Sequence, residues 1–142
     1  MRVVTCNGCF DGLHPGHMFF LGYCRGQGSK LIVGINTDDY IRRKKRSDPV
    51  PEKDRVAALI SLGVAEKVEV FPEDSPCEFI RRNMPDVHCI GEEYRGRAPE
   101  EKVCAELGIW IVYVPRIGKW SSTGMRKAAH AGISNGICPP QG

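Results

Sequence analysis

Residues 3–21 constrain this chain more tightly than any other stretch. Val3-Val4-Thr5-Cys6 is a short apolar run, Asn7 to Gly12 is a glycine-bearing turn, and Leu13-His14-Pro15-Gly16-His17 opens into Met18-Phe19-Phe20-Leu21. The order is strand, turn, helix. Pro15 suits the first helical turn, where its missing N–H and fixed φ cost nothing. Gly8, Gly12 and Gly16 let backbone approach a ligand closely, and a helix start offers free N–H groups and a positive dipole end. His14 and His17, three residues apart, stand at that end. The stretch therefore predicts a site for a polyphosphate.

The rest of the chain repeats the strand–helix alternation. The first helix runs from Pro15 to about Cys24, and Gly26-Gln27-Gly28 stops it. Lys30 to Ile35 is a continuous apolar run, the mark of a strand buried on both faces. Asn36-Thr37-Asp38 offers caps for a short helix into Arg43, and Arg42–Arg46 reads as a basic loop. Pro51 opens a helix with apolar residues at Val56, Leu59, Ile60 and Leu62, ended by Gly63. Strands follow at Lys67–Phe71, Asp86–Ile90 and Ile109–Val114. Helices begin at Asp74-Ser75-Pro76, at Pro99 and at Ser121-Ser122-Thr123, the last running to His130. This alternation predicts an α/β fold, a five-stranded parallel sheet with right-handed connections and the first strand central. Ligand should lie beyond the carboxyl ends of the strands, at a switch point in strand order.

Composition narrows the function classes. The chain has 142 residues, enough for one domain with a real core. A net charge of +3 is too mild to argue for nucleic-acid binding. No apolar run approaches a membrane span, and the expectation is a cytoplasmic protein without a membrane or nucleic-acid partner. Seven cysteines are many, and the number is odd. Cys6-Asn7-Gly8-Cys9 has C-x-x-C spacing, which raises a zinc or redox site, but no second such pair exists. Reduced thiols packed as small hydrophobes are the expectation.

Gly8-Cys9-Phe10-Asp11 followed by His14-Pro15-Gly16-His17 resembles the paired G-x-F-D and H-x-G-H signatures of the nucleotidyltransferase superfamily, which includes cytidylyltransferases and adenylyltransferases. The resemblance spans about residues 2–130. It implies a Rossmann-like, doubly wound single domain over residues 1–131, with residues 132–142 as a loose tail. It implies transfer of a nucleotidyl group from a nucleoside triphosphate, with Mg²⁺, to a small phosphorylated acceptor, and release of pyrophosphate. A homodimer stays open.

Site residues follow from the same resemblance. His14 and His17 would donate to oxygens around the α-phosphorus. In the basic run Lys44 comes first and Lys45 second as phosphate ligands, and five charges in a row cannot all face one ligand. Arg55 falls where the family carries an arginine early in this helix. Asp11 and Asp38 would touch the acceptor or, at second hand, the metal. Gly91-Glu92-Glu93-Tyr94 resembles the glycine-acidic-aromatic turn that meets base or ribose, with Gly91 and Glu93 at its contacts. Gly8, Phe10 and Gly16 complete the nucleotide turn. Arg116 with Ser121, Ser122 and Thr123 resembles the R-T-E-G-I-S-T-T signature, with Lys119 and Trp120 as departures.

Within the family the chain points two ways. Residues 7–11, 33–38 and 73–76 look like the adenylyltransferase domain of ADP-heptose synthesis, although Ile90 stands where that domain has lysine. Val112 to Arg116 and the hydroxyl triad look like glycerol-3-phosphate cytidylyltransferase, which leans the reading to CTP. A non-catalytic nucleotide-binding module is the rival of another class. It has no need of every phosphate donor.

Overall fold

All five expected strands form, and all lie parallel in one sheet of order β3-β2-β1-β4-β5. The computed structural model describes residues 1–116. Along the chain these are β1 (Val3–Gly8), α1 (Pro15–Arg25), β2 (Lys30–Asn36), α2 (Asp38–Lys45), α3 (Glu52–Ser61), β3 (Lys67–Phe71), α4 (Cys77–Asn83), β4 (Val87–Gly91), a 3₁₀ turn (Glu92–Tyr94), α5 (Pro99–Leu107) and β5 (Trp110–Val114). The helix expected from Ser121, its hydroxyl triad and the tail lie outside the described residues.

Burial on both faces explains why the strands read as apolar runs. On one face Val4, Cys6, Leu31, Val33 and Ile35 pack under Leu21 and Cys24 of α1 and Leu59 of α3. On the other, Ile32 and Phe71 pack under Phe79 and Ile80 of α4 and Val103 and Cys104 of α5. β1 pairs with β2 on one side and with β4 on the other, and the chain leaves in opposite directions across that pair. The switch point is therefore between β1 and β4, with the residues after β1 directly above it. Ile60, one of the apolar residues named in α3, is 47% exposed, because the buried stripe runs through Arg55 and Leu59.

One element differs in kind from the sequence reading. The basic run is not a loop: Arg42–Lys45 form the last turn of α2, and Arg46 closes it at φ +54°. Local chemistry explains this. Thr37 Oγ1 accepts the Tyr40 N–H at 3.1 Å, Asp38 and Asp39 sit in the first turn, and the cations sit at the negative end of the dipole.

Candidate active site

Pro15 starts α1, and His14 becomes its N-cap. The first amides of the helix are not left free for a ligand, as the sequence suggests. Gly16 N–H donates to His14 Nδ1 at 3.0 Å, and His14 N–H donates to His17 Nδ1 at 3.3 Å. Each ring accepts at Nδ1, so each neutral imidazole carries its proton on Nε2. The two rings stack with centroids 3.8 Å apart. The donor capacity of the helix start is thus passed on through two imidazoles. Burial pushes the His17 pKa down, and the neighbouring His14 and Lys45 push the same way, while the Gly12 carbonyl offsets part of the shift.

The turn before the helix is held in an unusual conformation. Phe10 is 6% exposed and has φ +48°, a region a bulky residue rarely adopts. Its ring meets His17 edge-on at 5.2 Å and fills the space beside Gly8, where a Cβ would stand 3.0 Å from it. Gly8 thus makes room for Phe10, and Phe10 backs the His17 ring.

A cleft of about 370 Å³ opens over the carboxyl ends of β1, β4 and β5. Gly8, Phe10, His14, Gly16 and His17 line it on one side, and Gly91, Glu93 and Arg116 line it on the other. The expected nucleotide contacts among the described residues thus converge on one cavity. The turn after β4 is braced as its acidic pair suggests: Glu92 Oε1 accepts the Arg116 N–H at 2.9 Å. The Glu93 carboxylate folds back over Gly91, where a Cβ would stand 2.5 Å from it.

The expected acceptor contacts are arranged differently. Arg55 is 2% exposed, and its guanidinium donates to four oxygens: Val50 O at 2.8 Å, Cys9 O at 3.0 Å, Asn36 O at 2.8 Å and Asp38 Oδ1 at 2.6 Å. It is not placed to meet a substrate. It ties the ends of β1 and β2 to the start of α2 and to the segment before α3. For Asp38, burial alone would raise the pKa. The Arg55 hydrogen bond and the Glu52 N–H outweigh it and hold the carboxyl below its ordinary value. Asp11 Oδ1 accepts the Val50 N–H at 2.7 Å, a further tie to the same segment.

The basic run also sorts itself. Arg42 pairs with Asp48 at 3.5 Å, and Arg43 pairs with Asp39 and Asp74, each at 2.8 Å. Lys45 acts on His17 and, together with Arg55, on Cys9, whereas Lys44 adds to the action of Arg43 on Asp74. Successive residues of a helix point about 100° apart, so only one of the pair can face the histidines.

Cys6 lies in the core, and Cys9 lies past the strand end with its thiol donating to Asn36 Oδ1 at 3.4 Å. Cys24 is buried beside Cys6 and Cys89. Burial, followed by these contacts, raises its pKa well above the ordinary value. All six cysteines among the described residues are free thiols.

Sequence reasoning missed one group. Thr5 and His88 face each other across the β1–β4 pair with Oγ1 and Nδ1 2.7 Å apart, and Glu100 of α5 lies beyond His88 on the cleft wall. The available signal was a histidine inside the apolar run Val87–Ile90, since a buried polar group needs a partner.

The sequence matches the cytidylyltransferase-like family over residues 5–128. The chain belongs to that family, and with it to the nucleotidyltransferases. It is 37% identical over 137 residues to the bifunctional protein HldE of Rhodopseudomonas palustris (strain BisB5), covering 94% of this chain and 28% of that protein. It is 43% identical over 98 residues to the bifunctional protein HldE of Campylobacter curvus, covering 68% of this chain and 21% of that one. The chain thus spans about a quarter of the length of these curated relatives. The crystal structure of the lipopolysaccharide core biosynthesis protein from Thermoplasma volcanium GSS1 superposes with a TM-score of 0.66 at 26% identity, covering 85% of this chain and 99% of that one.

Proposed function

We propose that this chain transfers a nucleotidyl group from CTP or ATP to a small phosphorylated alcohol or sugar. The observation that carries this reading is the stacked His14–His17 pair, with both Nδ1 atoms held by backbone amides at the mouth of the cleft. An acceptor phosphate oxygen attacks the α-phosphorus. The bond from that phosphorus to the bridging oxygen breaks, and pyrophosphate leaves with the electron pair. No side-chain nucleophile is required. The protein's part is to position two anions and to meet charge as it develops. The Nε2–H of His14 is a donor for this purpose, that of His17 becomes one by leaving the Gly12 carbonyl for the phosphate, and Lys45 and Arg116 add positive charge.

Mg²⁺ would arrive with the triphosphate. Among the described residues no three acidic, histidine or cysteine side chains stand together as an ion site. The ion would be held mostly by phosphate oxygens, with Asp11 able to contribute its second carboxylate oxygen. When bound, the ion would neutralise phosphate charge.

The sequence leans to CTP. The HldE relatives and the neighbour from lipopolysaccharide core biosynthesis favour the second reading, adenylyl transfer onto a heptose-1-phosphate-like sugar. Supply of triphosphate and the reduced thiols support a cytoplasmic setting. The test is a panel of four nucleoside triphosphates crossed with phosphorylated polyols, amines and heptoses, scored by pyrophosphate. Release with one pairing supports transfer. Nucleotide binding without pyrophosphate from any pairing would instead make the chain a binding module.

A further inference from the structure

Glu100 is a buried carboxylate, 7% exposed, on the wall of the cleft. Among the described residues neither of its oxygens receives a hydrogen bond. Behind it stands His88, fully buried, with Nδ1 engaged by Thr5 Oγ1 at 2.7 Å. His88 Nε2 has no hydrogen-bond partner and lies 3.8 Å from Glu100 Oε2. A lone pair on Nε2 would face the carboxylate unfavourably. The arrangement therefore favours the tautomer with Thr5 donating to Nδ1 and the proton on Nε2, directed at Glu100. The carboxylate is backed from inside the protein, and its acceptor capacity is turned to the cavity. The carboxylate is open to the cleft by only about a tenth of its side chain, so a donor on a bound molecule can supply the hydrogen bond that the protein does not.

We infer that Glu100 selects the base of the nucleotide by accepting a hydrogen bond from its exocyclic amino group. This rests on the transferase reading above. Position supports the base over the ribose. α1 carries the phosphate donors on one face of the sheet, and α5 carries Glu100 on the other. Glu100 and the phosphate donors therefore approach the one cleft from opposite faces of the sheet, and a ribose would lie between them. The neighbouring wall also suits a planar ring, because Ile90 and Val114 are apolar and Tyr94 is aromatic. Cytosine and adenine each present an amino group at the pyrimidine edge. Uracil and hypoxanthine present a keto oxygen at the same place, which a carboxylate repels.

The test compares matched pairs, CTP against UTP and ATP against ITP, by kcat/KM for pyrophosphate release, together with nucleotide affinity by calorimetry. In the wild-type chain the amino partner of the pair in use should be preferred on the order of a hundredfold, as for a lost hydrogen bond to a charged group. In Glu100→Gln the amide can turn either way, so that preference should fall about tenfold or more, with gain on the keto nucleotide. Glu100→Asp keeps the charge but withdraws it, and should lose use of the amino nucleotide without gaining the keto one. Thermal melts establish that each variant folds. An unchanged amino-to-keto ratio in a folded Glu100→Gln, with transfer intact, overturns the inference alone. A ratio that moves for 2′-deoxy nucleotides instead of keto bases assigns Glu100 to the ribose and also overturns it. If no pairing yields pyrophosphate, the transferase reading fails, and the calorimetric amino-to-keto ratio decides the role of Glu100 by itself.

Discussion

At the residue scale, the same hydrogen bonds that cap α1 also engage both histidine rings at Nδ1. His17→Ala should fold and bind nucleotide, yet lose on the order of a hundredfold or more in kcat with a smaller change in KM, because a donor aimed at developing charge acts mainly in the transition state. Single-turnover kinetics would check this. The depressed pKa of His17 makes a second prediction. In the free protein the ring is neutral over a range below its ordinary value near 6.5, and a bound triphosphate must raise it by its negative charge. Between the two values binding takes up a proton. Calorimetry in buffers of different ionisation enthalpy should show net proton uptake near pH 6 and none near pH 8.

At the element scale, the segment between α2 and α3 is held by Arg55 and Asp11 rather than by packing. Arg55→Ala would leave three backbone carbonyls and the Asp38 carboxylate without their donor. It should cost on the order of 3 kcal/mol in urea unfolding. Gly34 of β2 is the matching case in the core, since a Cβ there would meet the Phe79 ring at 2.8 Å. Phe79 is itself buried and stacked on Phe71 at 5.6 Å, so it cannot yield. Gly34→Ala should destabilise by about 1–3 kcal/mol, read from the unfolding midpoint. Neither role is legible in the sequence. Arg55 reads as a family arginine early in its helix, and Gly34 as one more residue of a continuous apolar run. What each does depends on elements that arrive from elsewhere in the chain.

At the scale of the whole molecule, the sheet divides the cysteines by depth. Cys6, Cys24, Cys89 and Cys104 are buried, and Cys9 and Cys77 are partly open. Burial pushes the Cys104 pKa up to about 12, which removes its reactive thiolate at neutral pH. Alkylation followed by mass spectrometry should label Cys9 and Cys77 in the native protein and the other four only after unfolding. Early labelling of Cys24 would show that the space between α1 and the sheet opens.

Contiguous sequence was enough for the architecture and for the centre of the site. Apolar runs, helix caps and glycine stops are local properties, and their alternation implies a parallel sheet with its ligand edge at the strand ends. The spacing of His14 and His17 around Pro15 likewise places both rings on one helix start. Only the tertiary structure decided which charges are free to act. It buries Arg55 in a web of carbonyls, brings Lys45 near enough to lower the His17 pKa, and sets Thr5, His88 and Glu100 side by side. Those outcomes follow from strand order and helix orientation. They join residues far apart in the chain, and a local pattern carries no record of its distant neighbours.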